Sequence, residues 1–167
     1  MAEKFYALAL EKDPYIFSNY QKLAKVIGSH EPVTSALTPY SYNFSFLEKA
    51  GDYFAGQKDT PLKLMALQCY DKALELVPSR DYLWWQKANV LSDLKRNKES
   101  AAVLKEWIDI YGRKDLTTTI FKGRLAKRYL DMGKPQTALD VLAEEIDSYQ
   151  GGVMMTLARA YEAFGRP

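Results

Sequence analysis

A spacing of large, small and aromatic residues recurs along this chain at intervals of 32 to 38 residues, and it constrains the fold more than any other feature. One copy runs Leu47, Ala50, Gly51, Phe54, then Ala66, Tyr70, Ala73 and Pro78. The next runs Trp84, Lys87, Ala88, Leu91, then Ser100, Leu104 and Trp107. A third runs Lys122, Leu125, Ala126, Tyr129, then Ala138 and Leu142, and a fourth opens with Met154, Leu157, Ala158 and Tyr161. A fixed period of this size marks a solenoid, assembled from units that cannot bury their apolar faces alone. Such a chain is expected to be a binding scaffold rather than a pocket enzyme.

Apolar residues return at three- and four-residue steps throughout, the period of a helix with one buried face. Between Tyr15 and Gly28, the residues Phe17, Tyr20, Leu23, Ala24 and Ile27 share such a face, with Pro14 just ahead of it. Residues 29–43 interrupt the pattern with Pro32 and Pro39 and are expected to form a loop or a short degenerate helix. Helices are expected over 44–57, 62–77, 81–95, 98–111, 116–132, 135–148 and 151–164. Their stops are Pro78, Gly112, Gly133-Lys134-Pro135 and Gly151-Gly152. No alternating strand pattern or Asn-Gly hairpin signal occurs.

The chain thus divides into 1–43, a partial N-terminal repeat with a helix and an irregular Pro/Ser/Thr loop, and 44–167, three repeats plus the first helix of a fourth. Tyr6, Ala9 and Pro14 copy the spacing of Tyr70, Ala73 and Pro78. The chain is therefore expected to begin inside a second helix and to stop, at Phe164 to Pro167, before another. Both ends are expected to lie within a longer protein. The first residues lack the basic-then-apolar layout of a secretory leader, and the compartment stays open between cytoplasm and bacterial periplasm.

Composition excludes several classes. The 167 residues carry a net charge of +2 with acids and bases interspersed, which is no footprint for nucleic acid. No apolar run is long enough for membrane insertion. The single Cys, Cys69, precludes an internal disulfide framework. One His, His30, stands in the Pro-containing segment, and no phosphate loop, His-x-x-Glu or Cys-x-x-Cys arrangement occurs. Catalytic residues, metal ligands and cofactors are accordingly expected to be absent.

The repeated residues resemble the tetratricopeptide repeat (TPR) family, whose pattern is Trp-x2-Leu-Gly-x2-Tyr, then Ala-x3-Phe, then Pro. The match spans roughly residues 44 to 164. It implies an all-α, right-handed α-α superhelix of antiparallel helix pairs. Gly51, Ala88, Ala126 and Ala158 would let paired helices approach closely, met by Ala66, Ser100 and Ala138 from the facing helices. Phe54, Leu91, Tyr129 and Tyr161 would fill the space between units. Lys87 and Lys122 depart from the pattern, at positions ordinarily large and apolar, and Gly112 stands where Pro is usual.

In that family the first helices line a concave groove that receives a peptide or a partner helix. The resemblance places Glu48 and Asp52 on that side in one unit, Tyr82, Trp85, Gln86 and Asn89 in the next, and Arg124 and Lys127 in the third. Two adjacent Trp on a helix point about 100° apart, so Trp84 and Trp85 face different neighbours. Trp85 is either a binding anchor beside Asn89 or ordinary packing between first helices, and both readings stay open. Some of these domains grip the C-terminal carboxylate of heat-shock chaperones with Lys and Asn on one unit, Asn on the next, and Lys and Arg on the third. Here Glu48 and Asp52 take the first two places, Gln86 only approximates the Asn and Ile120 replaces the Lys, leaving Arg124 as the one match. The resemblance therefore implies no such clamp, because carboxylates would repel a carboxylate.

Lys122, Arg124, Lys127 and Arg128 form a basic cluster preceded by Arg113 and Lys114. It is either a solvated helix face or a seat for an acidic peptide or an anionic polymer. The expected activity is non-catalytic protein–protein interaction through a groove. Two alternatives stand beside it: an extracytoplasmic scaffold domain of a bacterial secretion or exopolysaccharide export apparatus, and a structural spacer or self-association module that stacks through incomplete terminal repeats.

Overall fold

Glycine, proline and short polar caps punctuate the chain into helices close to those predicted. A computed structural model describes residues 1–145 and 151–165. The helices are α1 (Ala2–Lys12), α2 (Phe17–Ile27), α3 (Glu31–Ala36), α4 (Phe44–Ala55), α5 (Thr60–Leu76), α6 (Asp81–Asp93), α7 (Asn97–Tyr111), α8 (Leu116–Asp131), α9 (Pro135–Leu142) and α10 (Gly151–Ala163). A single 3-10 turn, Ala143–Glu145, follows α9. The end of the helix predicted over 135–148 lies outside the described residues. No strand occurs among the described residues, and none of their helices is long and apolar enough to cross a membrane.

The stops have local causes. Asn43 caps α4 by accepting the Phe46 N–H at 3.0 Å, and Asp115 caps α8 by accepting that of Thr118 at 2.8 Å. Gly133, with φ +69°, closes α8 while the Lys134 N–H reaches the Tyr129 carbonyl at 2.9 Å. The same closure ends α6 two residues earlier than predicted: Lys95 takes a left-handed φ of 62°, and the Arg96 N–H bonds to the Leu91 carbonyl at 2.8 Å. Gly151 and Gly152, at the predicted boundary of the last helix, form the first turn of α10.

The chain falls into two compact units, Met1–Leu83 and Trp84–Pro167, divided within α6. In the first, α4 pairs with α5 because Gly51 carries no side chain. A Cβ there would lie 2.7 Å from Cδ1 of Tyr70, a ring with no solvent exposure. Residues 29–43, the irregular segment, do contribute core: Val33 and Ala36 of α3 are buried. The Tyr40 ring lies 4.7 Å from that of Phe46, which also meets Phe17 edge-on at 5.0 Å and Tyr20 at 5.5 Å. His30, the one histidine, hydrogen-bonds through Nδ1 with the Tyr53 hydroxyl at 2.7 Å. Cys69 is buried, and its desolvation pushes the thiol up to about 12, the behaviour of a packing residue rather than a nucleophile.

In the second unit the small residue at the α6–α7 contact is Ser100. It is fully buried and satisfied, its Oγ donating to the Ala88 carbonyl at 2.7 Å. Trp107 of α7 stacks on Phe121 of α8 at 3.8 Å, joining successive pairs. Beyond it Ala126, Ala138, Leu142, Val153, Leu157 and Ala160 form one buried cluster among α8, α9 and α10. Leu91 is buried as the repeat pattern requires, Tyr129 is partly buried, and Tyr161 is exposed.

Candidate functional site

The first unit holds three of the residues assigned to the groove side, and each is engaged within that unit. Asp52 on α4 accepts from the Tyr70 hydroxyl at 2.8 Å and, through its other oxygen, from the Tyr82 hydroxyl at 2.9 Å. Glu48, one helical turn earlier, takes Arg80 in a two-pronged pair at 3.1 and 3.3 Å. The Arg80 guanidinium in turn lies 5.8 Å from the Tyr82 ring centre. Burial pushes the Tyr70 phenol above its ordinary value, and the hydrogen bond to Asp52 adds to the shift. Asp52 thus orients two tyrosines, one from α5 and one from the start of α6, while Glu48 holds the arginine beside the second.

The second unit holds the remaining five. On α6, Trp85 is half-buried, and the Asn89 amide donates to the Gln86 side-chain oxygen at 3.3 Å. From α8 the Arg124 guanidinium carbon lies over the Trp85 ring, 3.6 Å from its centre. That is a close cation–π contact between two first helices, with the indole holding the cation in place. Trp84 packs apart from it, buried and edge-on to Tyr111. Lys127 stands exposed one turn beyond Arg124.

The basic cluster read from α8 does not act as one patch. Lys122 pairs with Glu145 at 2.9 Å and with Glu144 at 3.2 Å. The hydrogen bond to Glu145 raises its pKa despite desolvation. This accounts for a lysine at a position usually apolar. Arg128 is buried and donates to Asp131 at 3.0 Å. Only Arg124 and Lys127 turn toward α10, where they line a cleft of about 290 Å³ together with Ile120, Val153, Met155 and Arg159. Gly123 brings the two helices together: a Cβ there would sit 2.9 Å from Val153 Cγ2.

The Nε of Arg124 is buried with no hydrogen-bond acceptor among the described residues. Desolvation, then repulsion from Arg128, holds its guanidinium below the ordinary arginine range. Arg159 did not emerge from the sequence, although it lies between Leu157 and Tyr161, both singled out as packing positions. No group of His, Cys, Asp and Glu among the described residues is placed to hold a metal ion.

No family model matches the chain, and no curated protein is similar to it. Solved structures are. The chain aligns over 98% of its length with 83% of MamA protein at 16% identity and a TM-score of 0.59. It aligns over 97% with 88% of a thermophilic TPR protein of Thermus thermophilus, at 17% identity and a TM-score of 0.56. The TPR-like repeats of a Podosopora anserina protein described as a kinesin light chain match 94% of it, over 87% of their own length, at 15% identity and a TM-score of 0.61. The fold is an all-α, TPR-like solenoid of helix pairs.

Proposed function

We propose that the protein is a non-catalytic scaffold that captures a peptide or helix of a partner protein along its first helices, with Trp85, Gln86, Asn89, Arg124 and Lys127 as the contact residues in the second unit. The observation that carries this reading is Arg124 stacked on Trp85. A cation fixed by an aromatic platform, with no ion pair of its own among the described residues, is a preorganised contact. Trp and Arg are also the side chains that most often anchor protein interfaces. Within the first unit Asp52 sets the Tyr82 hydroxyl and Glu48 holds Arg80.

Site-specific photocross-linking tests it. Benzoylphenylalanine replacing Met155, which lines the cleft and is 60% exposed, is expected to give discrete protein adducts in the native cell. The same group replacing Ile110, 58% exposed on the second helix α7, is expected to give none. Equal adducts from both positions, or adducts from Ile110 alone, would contradict the assignment of the first helices as the binding face.

A further inference from the structure

We infer that the hollow between the start of α2 and α4, in the first unit, is a seat for a proline-rich segment of the partner in polyproline II conformation. This rests on the first helices being the partner-binding face and adds the chemistry of what the first unit takes.

The hollow measures about 530 Å³ and is lined by Tyr15, Ile16, Ser18, Gln21, Lys49 and Asp52. Part of its wall is apolar and open to solvent, with Tyr15 68% and Ile16 44% exposed. The Tyr15 ring is nonetheless braced. It meets the Tyr40 ring edge-on at 5.6 Å, Tyr40 packs in turn on Phe46, and the Tyr15 N–H donates to Asp13 Oδ1 at 3.2 Å. An exposed ring held this way loses little freedom when a ligand covers it.

Hydrogen bonding in the hollow is unbalanced in one direction. Asp52, its one acceptor-only side chain, already accepts from the Tyr70 and Tyr82 hydroxyls, one at each oxygen. Lys49, its one donor-only side chain, has no ion pair among the described residues. The first turn of α2 has no side-chain cap, which leaves the Phe17 and Ser18 amides as further donors beside it.

The ligand that fits therefore accepts more hydrogen bonds than it donates and carries apolar surface. Proline has no backbone N–H but keeps its carbonyl, and polyproline II makes no internal hydrogen bond that would occupy it. The pyrrolidine rings cover Tyr15 and Ile16, as such rings do in aromatic-lined grooves. A small anion is the other ligand that only accepts. Asp52 opposes it, because its carboxylate offsets the charge of Lys49 in the same lining.

The test titrates N-acetyl-octaproline amide into the full chain and follows NMR signals of the Ser18 and Gln21 backbone amides and the Gln21 side-chain amide. An eight-residue glycine–serine peptide is the flexible neutral control, and N-acetyl-tetraglutamate amide is the anionic one. Octaproline is expected to shift these signals saturably, and neither control is. Tyr15→Ala should raise Kd about tenfold or more. Tyr15 is exposed, so that variant should keep the parent melting temperature. Tyr42→Ala, at a tyrosine 88% exposed but outside the hollow, should leave Kd unchanged.

The inference is overturned if octaproline gives no saturable shift, if the glycine–serine peptide shifts the same signals equally, or if the glutamate peptide displaces octaproline. Equal weakening by Tyr15→Ala and Tyr42→Ala would also overturn it. Failure of octaproline with Met155 adducts intact removes the proline assignment and leaves the scaffold. Loss of the adducts with octaproline binding intact removes the contact residues of the second unit and leaves the hollow.

Discussion

Gly51→Leu is expected to destabilise the first unit by about 3 kcal/mol, the largest effect of any single substitution considered for it. Two terms compete. Leucine is the better helix former by roughly 0.8 kcal/mol in an exposed helix interior. Against that, even a Cβ at Gly51 enters the space of the fully buried Tyr70 ring, and the remaining carbons have nowhere to go. The steric term wins because Tyr70 is also tied at its hydroxyl to Asp52 and cannot swing aside freely. A unit of this size should lose roughly 15 °C in melting temperature. Gly56→Ala is the control, because a Cβ there meets only carbonyl oxygens at 3.6 Å and should leave the melt unchanged. A parent-like melt for Gly51→Leu would show that α4 and α5 are not packed as described.

Asp52→Ala is expected to cost about 1–3 kcal/mol, because it strands the buried Tyr70 hydroxyl without its acceptor. In a Tyr70→Phe background the same change should cost markedly less, since only the Tyr82 bond is then lost. Equal costs in both backgrounds would dissociate Asp52 from Tyr70. The pair also sets an alkaline limit. The Tyr70 phenol lies above its unfolded value of about 10, so its contribution is complete below that pH. It is lost as pH rises from there through the folded value, and Tyr70→Phe should flatten stability over that window.

Much of the architecture was legible because close packing leaves a trace in residue size. Gly51, Ala88 and Ala126 recur where two helices touch, and each is buried at such a contact, whereas Ala158, placed in the same series, is exposed. What the sequence could not carry was pairing across long separations. Glu48 and Asp52 read as an acidic flank of a groove, yet their partners, Arg80 and Tyr82, come about one repeat later, and only the folded chain brings them together. The basic run on α8 looked like one patch for a similar reason. Lys122 and Arg124 are two residues apart, hence on nearly opposite sides of a helix, whereas Arg124 and Lys127 share a face. That rotation was available from numbering alone. Arg159 was not, because its value depends on α10 lying against α8, a contact made close by Gly123.

In the proposed scaffold the residues between the packing positions, Trp85 and Arg124 foremost, contact the partner. Trp85→Ala tests it most directly when adduct yield at Met155 and the melting curve are followed in the same chain. Removing the platform should cut the yield tenfold or more and lower the melting temperature by only a few degrees, with the transition still cooperative. An undiminished yield, or loss of cooperative melting, would make Trp85 a packing residue and contradict the account.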